Sequence, residues 1–311
     1  MPRVTVIIPT YNRRRMLPEA IDGALAQTFQ DFELIVVDDE STDGTVKMLE
    51  DRYGGDSRVR VIEKPHSGGP APGRQLGLEQ AQGDIIASLD SDDWWDPGYL
   101  ESVVRVFDSN PGIDYVLSNY RTVGDPRHDG TPTFDNPYWR LPDTVEALAH
   151  GAWVIPSASC VRASAARNVG FDSGAVLGED TDLVWRLLLA GHRLVGNPEL
   201  FVNYRVHTGV DGDITQMVDV SAEEKAACNL ALLDRYAKQA GPTVKRRRRE
   251  MHRLAARRLV AESRWIEARP HLWRWWRLKL GSLTALRWWV LSFFKGGEAE
   301  RKPKALDARG T

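Results

Sequence analysis

Continuous apolar runs of four or five residues recur along the first part of the chain, at residues 4–8, 34–37, 59–62, 85–89 and 115–118. Runs this short and this rich in Val and Ile read as strands buried on both faces. The stretches between them follow a different period. Residues 16–27 place Leu17, Ile21 and Leu25 on one face of a helix, and residues 45–53 and 99–107 show similar spacing. Strands alternating with helices predict an α/β fold with a mainly parallel sheet flanked by helices. In such a sheet ligands bind beyond the carboxyl ends of the strands. Two of these strands run straight into acid there, at Asp38-Asp39 and at Asp90-Ser-Asp92-Asp93.

Three carboxylates within four residues repel one another and raise each other's pKa unless a cation or a proton sits among them. Mg²⁺ or Mn²⁺ suits the set, because such hard ions take one or two carboxylates and leave other positions to water and substrate phosphates. A calcium loop is excluded. Counting from Asp90, Trp94 and Trp95 fall where that loop needs an oxygen ligand and a glycine. A phosphoaspartate phosphatase would need a later Ser or Thr and a Lys at strand ends, and none is evident. The bland alternative is that Asp92 and Asp93 open the next helix, where acids are favoured. Taken alone, the cluster fits either a metal site or that helix start; its convergence with Asp38-Asp39 on one crevice favours the site.

Composition narrows the setting. With 311 residues, 42% apolar and 27% charged, the chain can form one large domain or two smaller ones. Cys160 and Cys228 form no Cys-x-x-Cys pair, which predicts neither a zinc site nor a disulfide framework and suits a reducing cytoplasm. Met1-Pro-Arg3 leads directly into the first apolar run, too short for a signal-peptide core, and the late run at residues 288–294 is well short of the about 20 residues that span a bilayer. A cytoplasmic chain without a transmembrane helix is expected. The net charge of -2 conceals an asymmetry: residues 1–240 hold 22 Lys and Arg against 37 Asp and Glu, whereas residues 241–311 hold 19 against 6. A basic end on an acidic body implies an anionic partner for that end, whether lipid headgroup, nucleic acid or the body itself.

Further along, residues 121–143 read as a long loop of the kind that often binds substrate. Residues 153–161 and 200–206 read as strands and 180–191 as a helix. From residue 221 to 294 the pattern is helical, and 295–311 reads as a disordered tail.

Seven motifs in order carry a family resemblance over residues 1 to about 215. They are Val6-Ile-Ile-Pro-Thr-Tyr-Asn12, Gln27-Thr-Phe29, Glu33-Leu-Ile-Val-Val-Asp-Asp-Glu-Ser-Thr-Asp-Gly44, Gly83-Asp-Ile-Ile-Ala-Ser-Leu-Asp-Ser-Asp-Asp93, Gly170-Phe-Asp172, Glu179-Asp180 and Tyr204-Arg-Val-His207. Together they resemble the family 2 glycosyltransferases. The resemblance implies the GT-A fold, with residues 1–115 as the nucleotide-sugar-binding half, 116–215 as the acceptor-binding half and 221–294 as a basic, Trp-rich helical extension. It implies a nucleotide-sugar donor, UDP-linked by expectation, and inversion at the anomeric carbon.

The roles it implies are specific. Pro9, Thr10 and Tyr11 floor the base and ribose, and Asp39 accepts from an N–H of the base, as a carboxylate can. Asp90 lies toward the ribose, and Asp92 and Asp93 hold Mn²⁺ or Mg²⁺ against the donor diphosphate, with His207 completing the site. Arg74 sits in Gly68-Gly-Pro-Ala-Pro-Gly-Arg74, which two prolines make loop-like, and pairs with the diphosphate. Asp180 is the base that takes the acceptor's proton. Glu179 and Trp185 are candidates for the acceptor site, although Glu179-Asp180 also suits a helix cap and Trp185 a packed core.

The basic end holds six of the eleven tryptophans, interleaved with arginines. A stripe of Leu272, Trp276 and Leu280 would suit a helix lying on an anionic membrane surface through residues 241–295. A helical subdomain packed on the body, or forming a dimer, is the alternative; nucleic acid is disfavoured because no recognition motif accompanies the charge. The expected activity is transfer to a hydroxyl of a glycan or lipid-linked acceptor in envelope or capsule polysaccharide synthesis, at the inner face of the cell membrane. The alternative from another class is an inactive scaffold of the same fold recruited to lipid.

Overall fold

A computed structural model describes residues 1–65, 69–124, 129–133, 154–172, 178–207, 230–239, 241, 243–278 and 282–299. The chain divides into two compact units, Met1–Asp219 and Val220–Thr311. The first is built on eight strands: β1 Val4–Thr10, β2 Phe32–Asp38, β3 Val59–Glu63, β4 Ile85–Ser88, β5 Trp94–Trp95, β6 Tyr115–Val123, β7 Ser159–Arg162 and β8 Leu194–Arg205. They form one sheet in the order β3-β2-β1-β4-β7-β6-β8-β5. Four of the pairings, β1 with β2, β1 with β4, β2 with β3 and β6 with β8, are parallel, while β7 runs antiparallel to both β4 and β6 and β5 antiparallel to β8.

Among the described residues, six helices accompany the sheet: α1 Leu17–Leu25, α2 Thr45–Tyr53, α3 Pro70–Gln80, α4 Tyr99–Ser109, α5 Ala163–Val169 and α6 Glu179–Leu189. The central strands are apolar throughout because they are buried; Ile7, Ile8, Leu34, Ile35 and Ile86 have no exposed surface. In register, Thr10 lies opposite Asp38 and Ile7 opposite Ser88. The first two acid-ended strands therefore deliver Asp38-Asp39 and Asp90 to the same edge of the sheet.

The structure departs from expectation in four places. Pro70 and Pro72 do not make a loop: α3 starts at Pro70, because a proline in a helix's first turn removes only an N–H that has no partner there. Residues 154–161 are not one strand, since a single 3₁₀ turn at Pro156–Ala158 precedes β7. The expected loop at residues 121–143 begins as strand, with β6 continuing to Val123; most of the remainder lies outside the described residues. The expected disordered tail begins helical, as the last helix reaches Ala299.

The second unit contains α7 Thr243–Ala261, α8 Trp265–Leu278 and α9 Leu283–Ala299. Ala256, Leu259, Ala268, Leu272, Trp275 and Ala285 make its core. Among the described residues, no helix is long and apolar enough to cross a membrane.

Candidate active site

The acidic cluster sits in a turn between β4 and β5, closed by the Asp93 N–H donating to the Asp90 carbonyl at 3.2 Å. Asp92 and Asp93 do not open a helix, because β5 follows them at once and α4 begins only at Tyr99. One ligand atom each from Asp90, Asp92 and Asp93 lies within 4.8 Å of the others.

Asp93 is the innermost, with 1% exposure. The Ser157 hydroxyl donates to its Oδ2 at 2.6 Å and the Arg205 backbone N–H to its Oδ1 at 2.8 Å. Burial, then the charges of Asp92 and Asp90, push its carboxyl well above the usual range. Burial also raises Asp90, to about 6, against the pull of Arg74. Asp92 is more accessible and lies 3.1 Å from His207 Nε2. Asp90 and Asp93, both raised by burial, together with Asp92 and the His207 imidazole form a hard donor set that fits Mg²⁺ or Mn²⁺.

Arg74 organises the other side. Glycines let α3 approach β1 closely: a Cβ on Gly77 would meet Ile7 Cγ2 at 2.5 Å, and one on Gly73 would meet Pro9 Cβ at 3.2 Å. This contact seats Arg74 at 2% exposure, where its two terminal nitrogens donate to Asp90 and to Glu179. Its Nε is buried without a hydrogen-bond partner. The expected partner was a diphosphate; in the structure the guanidinium is engaged by these two carboxylates.

Glu179 and Asp180 form the first turn of α6, which Gly178 enters in the left-handed region at φ 81°. The pair opens a helix, and the Arg74 bridge to Glu179 ties that helix to the cluster. Burial, then the neighbouring Glu179 charge, raises Asp180 to about 7. Its Oδ1 accepts the Thr181 N–H at 2.6 Å. Trp185 is 3% exposed and belongs to the core, in a helix buried on most of its sides, with Leu183, Val184 and Leu187 buried as well.

The loops after β1 and β2 are stitched together. Asn12 N–H donates to Ser41 Oγ at 2.8 Å, and Thr42 N–H returns a bond to Asn12 Oδ1 at 2.8 Å. These loops frame a cavity of about 290 Å³ lined by Asn12, Arg13, Arg14, Arg15, Met16 and Asp43. Asp38 caps the turn, accepting the Ser41 N–H at 2.8 Å, while buried Asp39 pairs with Lys64. Pro9 and Thr10 end β1 beside them and Tyr11 follows it; Thr10 Oγ1 and Asp38 Oδ1 are buried without hydrogen-bond partners.

Three contributors escaped the sequence reading. Lys64 and Ser157 carry no local signal, since each reaches the site from a distant strand end or turn. Arg205 lies inside a recognised motif, yet its part is visible only in three dimensions. Besides its bond to Asp93, its Nε donates to the Asp92 carbonyl at 2.9 Å, its guanidinium pairs with Glu19, and it stacks 4.7 Å over the Trp94 ring.

Residues 5–170, just over half of the chain, match the family model for glycosyl transferase family 2. An uncharacterized glycosyltransferase of Haemophilus influenzae is 43% identical over 94 residues, 30% of this chain and 38% of that protein. Glycosyltransferase GlyG of Streptococcus pneumoniae is 27% identical over 74% of this chain and 82% of its own length. The UDP-Glc:alpha-D-GlcNAc-diphosphoundecaprenol beta-1,3-glucosyltransferase WfgD of Escherichia coli is 36% identical over 39% of this chain and 46% of its own. The chain thus spans well under two thirds of some of these relatives. Among solved structures, S. aureus TarS 1-349 in complex with UDP-GlcNAc aligns with a TM-score of 0.60 at 20% identity, covering 94% of this chain and 79% of that one. Mannosyltransferase PcManGT of Pyrobaculum calidifontis, with GDP-Man and Mn²⁺, aligns at 0.59 and 21% identity over 97% and 81%. These likenesses give the fold as GT-A. With the family match and the ordered motifs, they establish that the chain belongs to glycosyl transferase family 2.

Proposed function

We propose that the protein is a metal-dependent, inverting glycosyltransferase that moves a sugar from a UDP-linked donor to a hydroxyl of a glycan or lipid-linked acceptor, at the cytoplasmic face of the membrane, in envelope or capsule polysaccharide synthesis. One observation carries the reading: Arg74 joins Asp90 of the acidic cluster to Glu179, and so holds Asp180 against that cluster. A donor diphosphate held at the cluster would have its sugar between the two groups. The diphosphoundecaprenol acceptor of the E. coli relative and the UDP-sugar complex of TarS support the substrate classes; the Mn²⁺ complex of PcManGT supports the metal.

The roles follow from the chemistry of the side chains. Asp39 accepts from the base N–H, as a carboxylate can. Pro9, Thr10 and Tyr11 floor the base and ribose, and Asp90 lies toward the ribose. Asp92 and Asp93, with His207, would hold Mn²⁺ or Mg²⁺, which neutralises charge on the departing diphosphate. Asp180 takes the proton from the acceptor hydroxyl as its oxygen bonds to the anomeric carbon and the bond from that carbon to the diphosphate oxygen breaks. A carboxylate raised to about 7 is matched to that task at neutral pH.

The test is sugar transfer and donor hydrolysis with purified protein. Activity is expected with Mn²⁺ or Mg²⁺, to be lost in chelator and in the Asp92→Ala plus Asp93→Ala variant; unchanged turnover in either rejects the metal assignment. Asp180→Asn is expected to bind UDP and Mn²⁺ by calorimetry yet fail to transfer. Metal-dependent UDP binding also separates the enzyme from an inactive scaffold, which would show none.

A further inference from the structure

Residues 268–297 contain six Lys and Arg, five Trp, two Phe and no Asp or Glu. Their folding into α8 and α9 decides which of these side chains are structural. Leu272 and Trp275 go to the core of the helical unit with Ala268 and Ala285. The stripe of Leu272 and Trp276 expected to meet lipid is therefore split: Leu272 has no exposed surface, and Trp276 packs along the edge of the core. Leu280 lies outside the described residues.

A different face is left open. Trp276 stacks on Trp273 at 5.0 Å between centroids, Trp273 on Trp289 at 5.2 Å, and Trp289 meets Phe293 edge-on at 5.0 Å. The Arg269 guanidinium closes the row, 4.5 Å over the Phe293 ring. The row crosses from α8 to α9, so one surface carries rings from both helices. Two of its rings are not covered, Trp273 being 38% exposed and Phe293 51%, and Val290 of α9 is 44% exposed. Ile266, one helical repeat before Trp273 on α8, is exposed as well.

The charges on these helices complete the pattern. Arg274, Arg277 and Arg287 are exposed and have no ion-pair partner among the described residues. The acids that precede them are already engaged, Glu267 by Arg264 and Glu262 by Arg258 and Arg264. Uncovered apolar side chains flanked by uncompensated arginines suit a helix pair lying in a headgroup layer, with rings entering the acyl boundary and guanidinium groups on phosphate. A second copy of the same face would set arginines against arginines. Nucleic acid would satisfy the arginines while leaving Val290, Ile266 and Phe293 without a partner.

We propose that the α8–α9 face, with Trp273, Trp289, Val290 and Phe293 at its centre and Arg274, Arg277 and Arg287 around it, docks the protein on a bilayer surface carrying anionic phospholipid. This deepens the placement at the membrane face proposed above. Its test reads lipid binding and not sugar transfer, so the two can fail separately.

The full chain is floated with vesicles of phosphatidylcholine alone and of phosphatidylcholine with phosphatidylglycerol. It should co-float with the anionic vesicles, lose most binding at high salt, and bind the neutral ones at least roughly tenfold less. Brominated acyl chains should quench tryptophan fluorescence of the unaltered protein. Trp273→Ser plus Phe293→Ser, and separately Arg274→Gln plus Arg277→Gln plus Arg287→Gln, should each lower partitioning roughly tenfold or more while helical circular dichroism and UDP binding are unchanged. Equal binding to neutral vesicles overturns the proposal, as does anionic binding that neither variant weakens. A concentration-dependent dimer or nucleic-acid complex that forms in place of vesicle binding, and is lost in the same variants, assigns the face to that partner instead. If a variant loses helicity, the quenching by brominated lipid decides, and its absence counts against the proposal.

Discussion

Ser157 Oγ donates to Asp93 Oδ2 at 2.6 Å, tying the turn ahead of β7 to the innermost carboxylate of the acidic cluster. The same oxygen accepts the Asp90 backbone N–H at 3.0 Å, and the Ser157 carbonyl accepts Trp95 Nε1–H at 2.7 Å. One residue from a distant turn thus fixes both ends of the acidic loop. Positioning of this kind holds carboxylates close together against their mutual repulsion, which a cation relieves on binding. Ser157→Ala removes the hydroxyl and leaves a buried carboxylate short of a donor. The expected results are a loss of about 1–3 kcal/mol in stability and weaker Mn²⁺-dependent UDP binding. Denaturant melts and calorimetry measure them, and unchanged values for both would remove Ser157 from the site's support.

The Arg74 bridge makes a larger prediction. Asp90 and Glu179 share one buried guanidinium, so Arg74→Met strands two carboxylates with their neighbours Asp92 and Asp180 close by. Breaking a buried ion pair from one side costs about 3–5 kcal/mol. Arg74→Lys keeps the charge but lacks the planar fork that reaches both acids, and should fall between the wild type and Arg74→Met. Thermal melts order the three proteins; a melting temperature for Arg74→Lys equal to the wild type would show that charge alone suffices.

The legible part of the site was the part written at strand ends. Asp39, Asp90, Asp92 and Asp93 follow apolar runs directly, and the register of parallel neighbours makes their convergence a consequence of topology. Ser157 and Lys64 were not legible, because a serine in a three-residue turn and a lysine after an edge strand have no periodicity to betray them. The prolines of α3 hid a helix start, since Pro70 and Pro72 resemble loop residues until their place in the first turn is known. In α8 the apolar residues exceed one face, so the period alone gave no means of telling core from surface. Packing against α7 and α9 buries Leu272 and Trp275 and leaves Trp273 outside.

Asp180 gives the activity its expected pH dependence. Burial and Glu179 favour its protonated form up to about 7, and a base must have shed its proton to accept another. The kcat/KM profile should therefore rise about tenfold per pH unit on the acid side and level off above an apparent pKa near 7. That value belongs to the group around Arg74, since the charges of Glu179, Arg74 and Asp90 all act on Asp180. Residual activity of Asp180→Asn should lack this limb. A profile flat from pH 5 to 8 for the wild type, with chemistry rate-limiting, would exclude Asp180 as the base.

The helical unit carries a pH dependence of its own. His252 of α7 and His271 of α8 are buried with their Nδ1 atoms 3.0 Å apart, so at most one of the two nitrogens carries a proton in that contact. Burial lowers both, His252 to about 4, with His271, Arg274 and Arg248 adding to the shift and Arg274 also acting on His271. A histidine lowered by folding binds fewer protons in the folded state than in the unfolded one once the pH falls below about 6.5. Stability is therefore complete above that pH and declines as the pH falls toward 4. For His252 alone the shift to about 4, discounted for partial solvent access, is worth roughly 2 kcal/mol. Hydrogen exchange over residues 243–278 should accelerate between pH 6.5 and 4 once the intrinsic pH dependence of exchange is removed. His271→Leu removes one titrating ring and the second ring's charged neighbour, and should shift that acceleration to lower pH. If the two proteins open at the same pH, the histidine contact is not what sets the acid limit of this unit.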